Sequence, residues 1–417
     1  MRAFQLIIIL IITLIVITMS MTKRLVVWFR NDLRIHDNIL LTSAINEGSK
    51  FDEVVCLYCF DPRHFKKTKY GNSKCDKFRT KFLIESVDDL RRNLEGLGCK
   101  LVVAYEQPES IIPVIVSSSL SSLVLVQKEL TSEEKNVESK VSENIQKLSN
   151  NSKLKLIDND SRLYKVIPYK DMSMIPDTFT PFKEKVEKTS KVEDILASLQ
   201  LGQLPNSIGV SIGNTCSDKY LPTLNTLISF DDNSSDDSNS KKGVMVFKGG
   251  EVEGKTRLKS WMFDNDNLKN YFNVRNGMLG ESYSSKFSPW LALGCLSPRL
   301  IYHEAKRYER ERISNKSTYW LIFELIWRDF FRCLCVKYGN NVFKIGGAKN
   351  IMKPWSSNEE HVSRWKNGIT GYPLVDANMR ELLHTGWMRY YYYPIINIVI
   401  IKIIAIVIAG DRMLQVF

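Results

Sequence analysis

The stretch from Lys23 to Asp158 switches repeatedly between two hydrophobic periods, and nothing else in the 417-residue chain limits its fold as strongly. "RLVVWF", "EVVCLYCF", "KLVVAY", "SLVLVQ" and "LKLID" are short apolar runs with the length and β-branched content of buried strands. Helical patterns lie between them. Asp37 reads as the N-cap of "NILLTSAIN", which Gly48 ends. Leu83, Val87, Leu90, Leu94 and Leu97 then recur at helical spacing before Gly98. Strands alternating with helices fold as a doubly wound parallel sheet, and such sheets bind ligands beyond the carboxyl ends of their strands. Residues 22–163 are therefore expected to form an α/β domain of Rossmann-like type.

The pattern changes after Tyr164. Pro168, Pro176 and Pro181 interrupt it, and "SFDDNSSDDSNSKKG" (Ser229 to Gly243) has the composition of a solvated, disordered acidic loop, so residues 164–250 read as a linker. From Glu251 the texture is helical: "EGKTRLKSWM", "SPRLIYHEAKRYERER", "STYWLIFELIWRDFFRCLCVKYG" and "LVDANMRELLHTGW" imply an all-α domain over residues 251–388. No internal repeat is present.

Basic residues outnumber acidic ones by 58 to 46, a net charge of +12, which favours a polyanionic partner. The eight cysteines form no framework. Cys56 and Cys59 lie three apart on a predicted strand and point to opposite faces; Cys333 and Cys335 do not face each other on a helix. No metal site is expected, and the cysteines read as reduced core residues of an intracellular protein. Phe4 to Met19 is almost wholly apolar but would reach only about 24 Å as a helix, short of a bilayer core. With Arg2 alone before it and no small-residue cleavage site, it is also a weak signal peptide. Membrane association is not expected.

Three stretches carry candidate chemistry. "VVWFRNDLRIHDN" (Val26 to Asn38) puts charge at the end of the first strand, either to grip a ligand or to knit a tight turn; no G-x-G-x-x-G or Walker loop accompanies it. "YSSKFSPWLALGCLSPR" gathers Ser284, Ser285, Lys286 and Ser288 ahead of a helix, as a phosphate cradle or as ordinary capping. In "WLIFELIWRDFFR", Glu324, Trp327, Arg328 and Phe331 share one helix face. That face either lines a pocket for a stacked base or is buried core with an internal ion pair.

Together with "QKELTSEEKNVE", "GGEVEGKTRL", "RNGMLGESYSSKFSPWLALGCLSPR" and "GITGYPLVDANMRELLHTGWM", these stretches resemble the photolyase/cryptochrome family, most closely its DASH-type cryptochromes, in the family's order from Lys23 to Met388. The resemblance implies an antenna pigment, 5,10-methenyltetrahydrofolate, in the α/β domain and FAD in the helical domain. It also implies blue-light-driven repair of cyclobutane pyrimidine dimers, preferably in single-stranded DNA, or photoreception, by a monomer with no obligate protein partner. The lesion is flipped from the stack into the pocket. By motif, Tyr271, Ser284, Ser285, Lys286, Phe287 and Ser288 would contact FAD, Arg328 would lie next to the flavin or the lesion, and Glu129 would bind the folate. Glu324 and Trp327 would face the dimer, Arg275 would meet DNA phosphate, and Trp355 would be the outermost tryptophan of an electron-transfer chain.

The family's pattern continues past "TGWM" with an Asn- and Arg-rich helix and a D-x-D motif. Here Met388 is followed by "RYYYYPIINIV". The expectation is a truncated member whose FAD cavity lacks its second wall, with residues 389–417 a divergent tail and residues 1–20 a hydrophobic extension, both spelled like AT-rich non-coding DNA. On that reading the chain is a photolyase only where its FAD site is complete. The alternatives are a non-catalytic product and a signalling cryptochrome without repair.

Overall fold

The computed structural model describes residues 22–67, 74–158, 161–228, 243, 245–277, 280–354 and 358–388. The chain divides into two compact units: residues 1–63, 87–161 and 195–222, and residues 64–86, 162–194 and 223–417. Both are discontinuous, unlike the sequence-based boundaries 22–163, 164–250 and 251–388. Part of the expected linker is a built element of the first unit. The acidic loop Ser229 to Gly243, apart from Gly243, the two chain ends and Trp355 lie outside the described residues.

The first unit is a seven-stranded sheet. Its strands are β1 (Lys23–Phe29), β2 (Glu53–Cys59), β3 (Leu101–Ala104), β4 (Ser121–Gln127), β5 (Lys153–Ile157), β6 (Asn206–Ser207) and β7 (Cys216–Ser217). The order is β5-β4-β1-β2-β3-β7, with β6 pairing the start of β2. β1 to β5 are parallel, as the strand–helix alternation requires, and only β7 runs antiparallel. Val26 and Trp28 of β1 pack with Val55, Leu57, Val124 and Val126 against Ile111, Ile112 and Ile115 of helix Pro108–Ser117 and Val141 of helix Ser132–Gln146. Leu25, Val27 and Phe29 are buried on the opposite face. Burial on both faces explains why these strands read as unbroken apolar runs. The helix after β1 is capped by Asn38, whose Oδ1 accepts from the Leu40 and Leu41 N–H groups, and not by Asp37. Asp37 sits at φ 44° instead, and its carboxylate accepts from the Leu196 N–H.

The second unit is helical. Its long helix, Lys316–Tyr338, starts at a capping box: Asn315 Oδ1 accepts from the Ser317 and Thr318 N–H groups, and Thr318 Oγ1 accepts from the Asn315 N–H. Asp329, fully buried on this helix, accepts from the backbone N–H groups of Leu163 and Tyr164 at 3.1 and 3.0 Å, and its burial raises its pKa. It thereby anchors the segment that leads to helix Phe179–Thr189, whose Phe179 and Phe182 pack on Phe330. Helices Glu359–Lys366 and Pro373–Thr385 form a hairpin around a small core of Trp365, Val375 and Met379. All eight cysteines are free, with Cys56 beside Cys99 and Cys59 beside Cys216. No group of metal ligands exists among the described residues. No helix among them is long and apolar enough to cross a membrane.

Candidate functional site

One turn of helix Lys316–Tyr338 separates Trp320 from Glu324, and the two side chains meet: the indole Nε1 donates to Glu324 Oε1 at 3.0 Å. The guanidinium of Arg275, at the end of helix Tyr271–Val274, lies over the Trp320 ring at 4.5 Å and over Phe272 at 5.0 Å. Its Nη1 donates to Asn276 Oδ1, while its buried Nε has no hydrogen-bond partner among the described residues. Burial raises the pKa of Glu324, against the pull of the Arg275 charge and the Trp320 N–H. The result is a half-buried carboxyl, richer in its neutral form than an exposed glutamate, beside a guanidinium.

Farther along the helix the site is aromatic. Trp320 stacks on Phe323 at 4.4 Å, and Trp327 stacks on Phe179 at 3.7 Å with the planes 7° apart. Phe331 lies on from Trp327 at 5.4 Å. Of the four residues expected to share a face, Glu324, Trp327 and Phe331 are half-buried. Arg328 is buried deeper, and its Nη2 donates to the Leu291 carbonyl at 3.4 Å. Arg275, expected at DNA phosphate, is half-buried and faces Glu324.

Tyr271 is buried, edge-on to Trp261, which also meets Phe287 edge-on. Ser284, Ser285 and Ser288 are half-buried, whereas Lys286 and Phe287 are buried. Lys286 adopts φ 57° and turns its ammonium onto the Gly280 and Glu281 carbonyls at 3.2 and 2.8 Å, under the Trp387 ring. Arg257 holds the same loop by donating to the carbonyls of Glu281, Ser284 and Ser285. The helix that follows, Ser288–Ala292, has five residues, too few for a strong dipole. The loop is thus held by Arg257 and Lys286, with Ser284, Ser285 and Ser288 half-buried on it.

In the first unit, β1 and β4 are neighbours whose chain connections leave in opposite directions, which makes their carboxyl ends the sheet's switch point. Asn31 Nδ2 donates to Glu129 Oε1 at 3.0 Å. The Glu129 N–H donates to Glu138 Oε1 at 2.9 Å, and Arg30 pairs with the same carboxylate at 2.6 Å. Asp32 is buried: one oxygen accepts from the Arg30 N–H, the other has no partner among the described residues, and burial pushes its pKa up to about 6. Gln127, the last residue of β4, also keeps a buried amide nitrogen without a partner among the described residues. An orphan acceptor and an orphan donor at one switch point match what a polar heterocycle needs.

Residues 25–200 match the DNA photolyase family, and residues 320–407 match the FAD binding domain of DNA photolyase, a range that runs past Met388. The chain is 42% identical over 372 residues to the cryptochrome DASH of Gloeobacter violaceus, covering 88% of this chain and 70% of that one. It belongs to the photolyase/cryptochrome family, in the cryptochrome DASH branch. The chloroplastic/mitochondrial cryptochrome DASH of Arabidopsis thaliana is 40% identical, over 87% of this chain and 61% of its own length. The crystal structure of a Synechocystis cryptochrome superposes with a TM-score of 0.78 at 40% identity, covering 89% of this chain and 73% of that one. The two anchoring segments of the resemblance, after β1 and on helix Lys316–Tyr338, are the segments that carry the two clusters above. Trp320 and Gln127 were not singled out from sequence, whereas Asp32 lies in the charged stretch after the first strand. Trp320 had a usable signal, its spacing of four from Glu324; Gln127 had none beyond lying at a strand end.

Proposed function

We propose that this chain is a blue-light-dependent flavoprotein that binds FAD in its helical unit and repairs cyclobutane pyrimidine dimers in DNA, with single strands preferred. The observation that carries the reading is the half-buried Glu324 carboxyl, held by Trp320 beside Arg275, with Trp327 on the same helix. When bound, FAD supplies light absorption and the electron that splits the dimer. The residues here suit that group: the hydroxyls of Ser284, Ser285 and Ser288 stand on a loop already fixed by Arg257 and Lys286. Those hydroxyls and Tyr271 would hold the cofactor, with Arg328 near it.

The chain's own part in repair follows from charge. A carboxyl with a raised pKa keeps a proton to donate to a pyrimidine carbonyl on which negative charge develops. The nearby guanidinium stabilises the same charge without a proton changing hands. Trp327 gives the flipped bases an apolar wall, and the net charge of +12 attracts the polyanion. In the first unit, Glu129 with Asp32 and Gln127 would hold 5,10-methenyltetrahydrofolate as antenna. The protein works as a monomer inside the cell.

The test is direct. Purified protein, given FAD, is irradiated with blue light on a single-stranded oligonucleotide carrying one dimer. A flavin spectrum and light-dependent recovery of pyrimidine absorbance are expected. A chain that stays colourless defeats the flavoprotein reading; a yellow one that leaves the dimer intact is a photoreceptor instead.

A further inference from the structure

We propose that Trp320 is a positioning residue for this site: its indole N–H fixes one oxygen of Glu324 while its ring face carries Arg275, so carboxyl and guanidinium lie side by side without pairing. The proposal rests on Glu324 being the ligand-facing acid of the reading above. Its geometry is local. Helical side chains lean toward the N-terminus, so Glu324 lies over the residue one turn earlier, and that residue is Trp320. The N–H···O distance is 3.0 Å. From the other side, Phe272 meets Trp320 edge-on at 4.7 Å, and the Phe272 N–H is tied to Ser317 Oγ at 3.0 Å, which sets Arg275 over the indole.

Two opposite charges this close and partly desolvated would ordinarily close into an ion pair and spend each other's hydrogen bonds. No such pair forms among the described residues, because the indole satisfies both groups at once: its edge takes the carboxylate and its face takes the cation. The second carboxyl oxygen and the guanidinium remain for a ligand that presents an imide-like edge near an anionic group. Of the charges on this helix and on helix Phe179–Thr189, Lys316 lies over Phe272 at 3.7 Å and over Trp320 at 6.0 Å, Arg328 donates to the Leu291 carbonyl, and Lys183 pairs with Glu187, which accepts from Tyr319.

The test is an infrared titration of the unliganded protein, without DNA or light. The carboxyl band that E324Q removes from the wild-type spectrum reports Glu324. In W320F, which keeps an aromatic face for Arg275 and removes the N–H, that band's midpoint should move to higher pH. A hydrogen bond favouring the charged form has then been lost. A W320F protein with the wild-type circular dichroism spectrum and an unchanged midpoint overturns the proposal. Should W320F fail to fold, the benzothiophene isostere of tryptophan at position 320 keeps the shape, lacks the donor and gives the same two readings. Absence of dimer repair in the wild type would defeat the proposed function and leave this midpoint to decide the role of Trp320.

Discussion

The two clusters hold buried polar groups by opposite means. At the switch point of the sheet, Arg30, Asn31, Glu129 and Glu138 are closed into one hydrogen-bonded network. At the long helix, Glu324 and the Arg275 that approaches it from helix Tyr271–Val274 are kept from pairing by aromatic rings. A network spends its donors and acceptors on itself; near it, one oxygen of Asp32 and one nitrogen of Gln127 keep no partner among the described residues. A stacked arrangement spends faces rather than edges and leaves the charged edges usable. The first kind suits a passive ligand that is only held. The second suits a site where charge must respond to a changing partner.

The comparison breaks most severely at Asp329, the one carboxylate of the long helix that is wholly spent on structure. D329A strips the Leu163 and Tyr164 N–H groups of their acceptor, and a cost of about 3–5 kcal/mol in unfolding free energy is expected by urea denaturation. If the loss is within error, the anchoring role is wrong. Asp32 comes next. Its folded pKa of about 6 lies above the ordinary 3.8, so the native state holds the proton more tightly. That contribution is fully present below about pH 4 and is lost as pH rises through about 6. A rise of about two pH units, at about 1.4 kcal/mol each, makes the change about 3 kcal/mol. D32N, which cannot ionise, should flatten that part of the stability profile; an unchanged profile would show that the orphan oxygen is not buried in solution.

Smaller effects sharpen the functional half of the contrast. E324Q keeps a donor and an acceptor but cannot titrate. Dimer binding should weaken roughly tenfold and lose its pH dependence around the Glu324 midpoint, as read by fluorescence anisotropy of a lesion-bearing strand. Equal affinity at every pH would remove Glu324 from the site. Least disturbing to the whole is E129Q. It should reduce or abolish the near-ultraviolet folate band of the reconstituted protein while leaving flavin absorbance and dark dimer binding as they were. Loss of flavin along with folate would mean that the two sites are not separate.

Much of this was legible from local pattern. The apolar runs at β1 to β5 and the amphipathic stretch from Leu83 to Leu97 declare themselves because periodicity of two or 3.6 is a property of consecutive residues. The spacing that puts Glu324 and Trp327 on one face of a helix was legible for the same reason. The region after Tyr164 did not declare itself: β6 and β7 are two residues each, too short for any period, and they exist because β2 and β3 offer open edges for them. Asp37 looked like a cap, yet Asn38 caps, since the backbone at residue 37 turns to φ 44° and commits its carboxylate to Leu196, far along the chain. The serine–lysine run read, on sequence alone, as a phosphate cradle or as ordinary helix capping. In three dimensions its lysine bonds carbonyls of its own loop, leaving the hydroxyls.

By itself, then, the sequence determined that a parallel α/β unit is followed by helices, that the net charge is +12, and which strand end and which helix carry polar residues in apolar surroundings. Only the tertiary structure decided what those polar residues meet. Arg275 and Trp320 are brought together by a contact across 45 residues, and Asp32 and Gln127 are placed at the same end of the sheet by the pairing of β1 with β4. Such contacts depend on loop closure and on burial shared between distant segments, and no periodicity in either segment encodes its partner.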